Sequence, residues 1–333
     1  MHRRSLLALS ALATPALVRP GFAQSAYPDR AITMVTGFAP GGSTDIAARL
    51  LSDRLGPALG PNARVVVENR AGASGMIASE WLKRQTPDGY TVMLVESSSH
   101  ALIPHALQGG TRYDPINDFA HVAVVATGPL VLVAAPNFPA QSASEVVARL
   151  RAGPQDNMPY ASSGVGSLPH FAGEMVAVSL GRGGRFAHVP YRSGGLMVES
   201  IARNETQWGV AVLASAAAQV RDNRVRGIAV TGLERFSAFP DLPTLAESGL
   251  PGFDLANWFA VVAPKETPAP VLARLNAAIT EALTQPQLRE RLTIAGYAPW
   301  STGNTPADAR AFFVREGEKY RQVVERTGVR LEQ

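Results

Sequence analysis

Residues 37–45, Gly-Phe-Ala-Pro-Gly-Gly-Ser-Thr-Asp, could bind an anion through their backbone. They follow a short apolar run at 32–36 and precede a helical pattern that begins at Ile46. A glycine turn between a strand and a helix leaves backbone N–H groups unpaired and places the positive end of the helix dipole beside them. The spacing is close to that of a phosphate loop, but Ser43 replaces the essential lysine, so we do not expect a nucleoside triphosphate.

Three other loops combine small residues and hydroxyls with a helix start, at 97–100, 162–167 and 191–195. In the second of these, Ser167 is a candidate N-cap and Pro169 would lie in the first helical turn. Because four such loops occur in one chain, we expect them to converge on a single anion-binding cradle.

Two charged residues beside these loops have alternative roles. Asp45 either caps the first helix, contacts a ligand amine, or fixes the loop by accepting backbone N–H bonds. We expect the cap, since a carboxylate facing the cradle would repel an anion. Arg192 either pairs with a ligand carboxylate or is solvated.

The sequence gives little support for metal binding or covalent catalysis. The chain has no cysteine, which excludes disulfides, thiolate metal sites and a cysteine nucleophile. His100 and His105 are five residues apart, so they do not share a helix face. We expect no catalytic residue, no metal and no cofactor. The alternative is a serine hydrolase that uses Ser163 or Ser167 with His170, although Ser167 lacks the Gly-x-Ser-x-Gly elbow.

Strand-like and helical patterns alternate along the chain, which predicts an α/β protein with mostly parallel strands. Strands are expected at 32–38, 64–68, 90–95 and 121–135, and near 186–191, 208–213, 225–231 and 257–263. Helices are expected near 44–58, 74–86, 142–152, 168–180, 194–203, 268–284 and 305–326. Ligands of such folds bind beyond the carboxyl ends of the strands.

The apolar run at 121–135 is long for one strand and contains Gly128-Pro129, where the chain could leave one domain and enter another. The run at 258–263 could carry it back. We therefore expect a discontinuous first domain at 25–126 plus 254–333, a second domain at 127–253, and a ligand cleft between them.

The first 23 residues have the pattern of an export signal, with a basic start at 2–4, an apolar stretch at 6–17 and small residues before the cleavage site. Cleavage is expected near Ala23 or Gln24. An uncleaved anchor is the alternative, but the apolar stretch is too short to span a bilayer. The arginine pair leaves twin-arginine and general export both open.

The leader also explains the basic charge. The whole chain has 31 Lys and Arg against 27 Asp and Glu, and the leader contains Arg3, Arg4 and Arg19 without any acid. The remainder has 28 against 27, a net charge of +1. This balance gives no reason to expect nucleic acid as a partner.

Short motifs spread over the chain resemble the Bug family of periplasmic solute-binding receptors, which serve tripartite tricarboxylate transporters. They are Tyr-Pro-Asp-Arg at 27–30, Phe-Ala-Pro-Gly-Gly-Ser-Thr-Asp at 38–45, Val-Glu-Asn-Arg-Ala-Gly-Ala at 67–73, Pro-Asp-Gly-Tyr-Thr at 87–91, Tyr-Ala-Ser-Ser-Gly at 160–164, Val-Pro-Tyr-Arg at 189–192, Phe-Pro-Asp-Leu-Pro-Thr at 239–244 and Glu-Ser-Gly-Leu-Pro-Gly-Phe at 247–253. Each motif is short, but together and in this order they are highly specific.

The resemblance implies a type II periplasmic-binding-protein fold, with two α/β domains that close over a small carboxylate. It also implies a periplasmic location, delivery of the ligand to membrane permease subunits, and a monomer. The ligand contacts it implies are Phe38, Ala39, Gly41, Gly42, Ser43 and Thr44 in the first loop and Ser162, Ser163, Gly164 and Gly166 in the second, with Ser98, Ser99, Tyr191 and Gly194 as additions. A sensor for a membrane signalling kinase could share this fold, so that alternative stays open.

The chain departs from the family pattern at Ala211 and Val212, where the family usually shows an Asp-Asn pair that faces the cleft. If both residues line the pocket, its far end has lost polar partners, and unpaired polar groups are costly to bury. We therefore expect a carboxylate with an aromatic or aliphatic far end rather than an amino acid or citrate.

Overall fold

The computed structural model describes residues 27–152 and 158–332, so the expected export signal lies outside the described residues. The strands are β1 (Ile32–Thr36), β2 (Val65–Asn69), β3 (Thr91–Glu96), β4 (Phe119–Ala134), β5 (Tyr160–Ser162), β6 (His188–Pro190), β7 (Trp208–Val212), β8 (Arg226–Val230), β9 (Ala256–Pro264) and β10 (Ala298–Pro299). The helices are α1 (Ser43–Leu59), α2 (Met76–Leu82), α3 (Ile103–Ala106), α4 (Ala143–Ala152), α5 (Leu168–Ser179), α6 (Gly194–Ala202), α7 (Leu213–Arg221), α8 (Ala269–Thr284), α9 (Pro286–Ile294) and α10 (Pro306–Thr327).

The strands form one continuous sheet in the order β2-β1-β3-β9-β4-β7-β5-β6, with β8 and β10 also paired to β4. The 16-residue β4 joins the two halves of this sheet. Its first part pairs with β9 as far as Pro129, opposite Ala256, and from Leu130 onward it pairs with β7 and β8. The change of partner occurs at Gly128-Pro129, where the sequence indicated a crossing.

The expectation of mostly parallel strands is wrong. Strand β1 is parallel to β2 and β3, and β5 is parallel to β6 and β7, but every described pairing of β4 and β9 is antiparallel. The reason is that the two long central strands carry the chain between the halves in opposite directions.

Two apolar clusters pack against the sheet, and the larger one contains residues of both halves. The larger cluster surrounds β1, β3, β4 and β9 and includes the fully buried Trp258, Phe259 and Tyr297. The smaller cluster lies behind β4 and β7 and includes Val131, Met197 and Ala211. In the described part of the chain, no helix combines the length and apolarity that a membrane crossing needs.

Candidate functional site

Four helices begin around one small cavity, which we call the inner cavity. The helices are α1, α5, α6 and α7, each nine residues or longer, so each contributes the positive end of its dipole. In α5 the first N–H groups are already bonded to side chains and backbone, so the free N–H donors belong to the other three helices. The inner cavity measures about 10 Å³, close to the minimum for one water molecule. Its lining residues are Phe38, Gly42, Ser43, Thr44, Glu96, Ser98, Ser163, Pro169, Gly194, Val212 and Ser215.

A larger outer cavity of about 450 Å³ lies beside the inner one. Phe38 and Ser163 line both cavities and therefore form the boundary between them. The other residues of the outer cavity are Gly37, Ala71, Gly72, Ala73, Ser74, Gly164, Val165, Tyr191 and Arg192. Together the cavities can hold a small molecule with one anionic end, since the N–H donors are concentrated at the inner cavity.

At the inner cavity, serine hydroxyls accept hydrogen bonds from the first backbone N–H group of two of these helices. The backbone N–H of Ser43 donates to Oγ of Ser215 at 2.9 Å, and the N–H of Leu168 donates to Oγ of Ser98 at 2.8 Å. At the outer cavity, Oγ of Ser74 donates to the carbonyl of Val165 at 2.7 Å. All three bonds join segments on opposite sides of the Gly128-Pro129 crossing.

Asp45 holds the first loop in place and does not cap α1. Its carboxylate accepts from the N–H of Gly41 at 3.0 Å, from Nδ2 of Asn69 at 2.9 Å and from Nε of Arg49 at 3.1 Å. The N-cap residue is Gly42, without a side-chain bond, so the expected cap is wrong. Burial acts to raise the pKa of Asp45, but these hydrogen bonds outweigh it and hold the pKa below its usual range.

Glu96 is a cavity residue that the sequence analysis did not select. It ends the apolar strand β3, is 3% exposed and lines the inner cavity, where Oε1 accepts from the N–H of Ser98 at 3.2 Å. Burial raises its pKa to about 7, partly offset by the bonds from Ser98. An acidic residue at the carboxyl end of a buried strand, directly before three serines, was the available signal.

Arg192 is the only cationic side chain among the residues lining the two cavities. It is exposed, and no ion pair involves it within residues 27–152 and 158–332. Its guanidinium is therefore available to a second anionic group on a ligand in the outer cavity.

The structure brings ten of the sixteen predicted site residues to the cavities. Phe38, Gly42, Ser43, Thr44, Ser98, Ser163, Gly194 and Val212 line the inner cavity, and Gly164 and Tyr191 line the outer one. The six that line neither cavity are Ala39, Gly41, Ser99, Ser162, Gly166 and Ala211.

Most of these six have a structural role. Gly41 donates to Asp45, and a side chain at Gly166 would meet Leu331 at 2.9 Å. Ser99 bonds the ring of His100. Ala211 is fully buried in the smaller apolar cluster, so only Val212 supports the expectation of a less polar pocket wall.

The serine and histidine residues near the second loop do not form the pair that the alternative, a serine hydrolase, would require. Ser167 caps α5 by accepting the backbone N–H of His170, as predicted, and His170 Nδ1 accepts from the N–H of Gly166. The close pair is instead Ser162 Oγ and His188 Nε2, 2.6 Å apart, and neither residue lines a cavity. Burial lowers the pKa of His188 to about 4, and no described carboxylate bonds its ring to complete a triad.

Within the described ranges, no group of three His, Asp or Glu side chains is arranged to hold a metal ion. The donors that converge on the inner cavity are N–H groups and hydroxyls, which suit an anion.

Comparison with known proteins gives a consistent result. The family model described as "Tripartite tricarboxylate transporter family receptor" matches residues 47–329. Protein BugT of Bordetella pertussis is 33% identical over 99% of this chain and 100% of its own length.

Solved structures agree with this match. Malate-bound MatC of Rhodopseudomonas palustris is 30% identical, with a TM-score of 0.82 over 90% of this chain and 100% of that one. Rpa4515 of R. palustris with adipate is 28% identical, with a TM-score of 0.86 over 92% and 100% of the two chains. The predicted fold, two α/β domains of a periplasmic binding protein with a ligand cleft, is thereby confirmed.

Proposed function

The chain belongs to the family of tripartite tricarboxylate transporter receptors, and from this premise we propose that it captures a small dicarboxylate in its cleft and delivers it to the permease subunits of a membrane transporter. The observation that carries this proposal is the meeting of four helix N-termini and five hydroxyl side chains at the inner cavity. Such a cradle favours a carboxylate group without needing a basic side chain.

The two ends of the ligand bind in different cavities. One carboxylate binds at the inner cavity, which must widen to admit it because about 10 Å³ holds one water molecule at most. The remainder of the molecule occupies the outer cavity, where Phe38 and Val165 offer apolar contacts and Arg192 pairs with a second carboxylate. The related proteins that bind malate and adipate show that this family accommodates diacids of different length. An aliphatic diacid has an apolar middle and carries this second charge. Its charged far end differs from the apolar far end expected from Ala211 and Val212, of which only Val212 lines a cavity.

Ligand binding works through closure of two domains, at 25–126 plus 254–333 and at 127–253. The bonds Ser43–Ser215, Leu168–Ser98 and Ser74–Val165 each join one domain to the other under this division. A carboxylate that takes N–H donors from both sides binds only when they are together, so it shifts the population toward closure. The permease then recognises the closed form.

The protein acts in the periplasm as a binding protein and catalyses no reaction. Family membership and the pattern of the N-terminal leader support export. The Ser162–His188 pair lines neither cavity, which is unfavourable for a hydrolase acting on a bound ligand.

A thermal-shift screen of the chain from Gln24 onward tests this function, with malate, adipate, citrate and an amino acid as probes. A diacid present at 100 times its Kd is expected to stabilise the protein by about 2.7 kcal/mol and to raise Tm by a few degrees. The diacid should be recovered unchanged after incubation. No shift with any carboxylate, or consumption of the diacid, would contradict the proposal.

A further inference from the structure

The inner cavity places a buried carboxyl group where the proposed function places a ligand carboxylate. Glu96 lines the cavity together with the N-terminal residues Ser43 and Thr44 of α1, and only 3% of it is exposed. No cationic side chain lines this cavity, because Arg192 belongs to the outer one. Two ionised carboxylates in so small a space would repel each other strongly.

We propose that Glu96 is a ligand-binding residue that shares one proton with the inner carboxylate of the ligand, so that the protein takes up one proton for each dicarboxylate bound. This inference rests on the proposed function. A carboxylic acid that donates to a carboxylate forms a short, strong O–H···O⁻ bond, and the shared proton removes the repulsion between the two groups. The hydroxyls of Ser98 and Ser163 and the helix N-termini remain to solvate the single negative charge.

The free protein is prepared for this role. Because burial raises the pKa of Glu96 to about 7, the carboxyl is partly protonated at neutral pH before any ligand arrives. A bound anion stabilises the protonated form further and raises the pKa of the pair.

The other titratable groups around Glu96 do not change charge between pH 6 and pH 9. Burial lowers the pKa of His100 and of His170 to about 3, so both rings are neutral. Burial raises the pKa of Tyr113 and of Tyr320, whose hydroxyls stay protonated. Asp45 at α1 has a lowered pKa and stays ionised beside Arg49, while the nearby amide of Asn257 does not titrate.

Proton linkage predicts how binding depends on pH. Below pH 7 the proton is already on Glu96, so the affinity for a doubly ionised ligand is nearly constant. Above pH 7 the proton must be taken from solution, so Kd should rise about tenfold per pH unit. Glu96→Gln keeps an acceptor for Ser98 without the charge, and it should bind with a Kd that is flat across this range.

The test is isothermal titration calorimetry of the mature protein with malate and with adipate, at pH 6.5 and pH 8.5, in buffers of different ionisation enthalpy. At pH 8.5 the wild-type protein is expected to take up close to one proton per ligand, and fewer at pH 6.5. Glu96→Gln should take up almost none and bind about thirtyfold tighter than wild type at pH 8.5. The matched control is Glu290→Gln, an exposed residue of α9, which should behave as wild type.

The outcomes separate the two proposals. Diacid binding without proton uptake at pH 8.5 would overturn the role of Glu96 and leave the proposed function standing. Failure of every carboxylate to bind would overturn the proposed function itself. The number of protons that the wild-type protein takes up per ligand tests the role of Glu96 even if the Glu96 variant fails to fold.

Discussion

The backbone N–H of Ser43 donates to Oγ of Ser215 at 2.9 Å, although 172 residues separate the two in the chain. Ser43 begins α1 and Ser215 lies in the first turn of α7, so this bond joins two of the four helix N-termini that surround the inner cavity. The hydroxyl oxygen occupies an acceptor position that a ligand carboxylate would otherwise compete for. The same contact therefore affects both closure and ligand binding.

Ser215→Ala should reduce the closed population of the protein without added ligand. One hydrogen bond contributes about 1 kcal/mol, which corresponds to roughly a fivefold change in the ratio of closed to open molecules. Small-angle X-ray scattering should show a larger radius of gyration for the variant, and saturating diacid should restore the wild-type value. The control is Ser301→Ala, since Ser301 is exposed and lines neither cavity. Identical scattering curves for Ser215→Ala and wild type would contradict the prediction.

Arg192→Gln should weaken binding of a diacid about tenfold and leave a monocarboxylate of the same length unaffected. The reason is that a charge-assisted hydrogen bond to the second carboxylate contributes about 1.5–3 kcal/mol. Calorimetric Kd values for adipate and hexanoate provide the comparison. Arg185→Gln is the matched control, because Arg185 is an exposed arginine that lines neither cavity. Equal losses for both ligands would show that Arg192 does not select the second charge.

The loops of the cradle could be predicted from sequence because glycines, hydroxyl residues and helix starts are local signals. Ser167 is the clearest case, since its position before Leu168-Pro169 predicted the cap that the structure shows. The helices α3, α7 and α9 were not predicted. The α7 sequence, rich in alanine, directly follows a strand and offers no N-cap side chain, as Val212 occupies that position.

Local sequence patterns could not predict which residues from distant segments of the chain meet at the cavity. Glu96 and Ser215 reach the inner cavity only because the end of β3 and the start of α7, on opposite sides of the Gly128-Pro129 crossing, meet there. For Ala211, the alternation along β7 decides between cavity and core, and a shift of one residue moves a side chain to the other face. The sequence does not reveal which of Ala211 and Val212 faces the ligand.

Asp45→Asn should destabilise the protein by about 1–2 kcal/mol at pH 7 by weakening its bonds to Gly41 and Arg49. Because hydrogen bonding lowers the pKa of Asp45 in the folded state, this stabilisation is present above the unfolded pKa near 4 and is lost as pH falls through the folded value. Urea unfolding at pH 7 and at pH 3 should therefore show a difference between variant and wild type that shrinks in acid. Exposed Asp241, changed to asparagine, is the control. A difference that is the same at both pH values would exclude a contribution from the charge.

His100→Phe should make the protein less sensitive to acid. Burial lowers the pKa of His100 to about 3, and its Nε2 has no hydrogen-bond partner in the described structure, where the ring packs against Tyr113, Phe119 and Phe313. A neutral buried base with a lowered pKa stabilises the fold above the unfolded value near 6.5, and this contribution is lost as pH falls toward 3. Between pH 6 and pH 4 the loss is about 1.4 kcal/mol per pH unit. Urea unfolding across this range should give a curve for His100→Phe that is flatter by about that slope, even if the loss of the bond to Ser99 lowers its stability at pH 7. Parallel curves for variant and wild type would show that His100 does not titrate with folding.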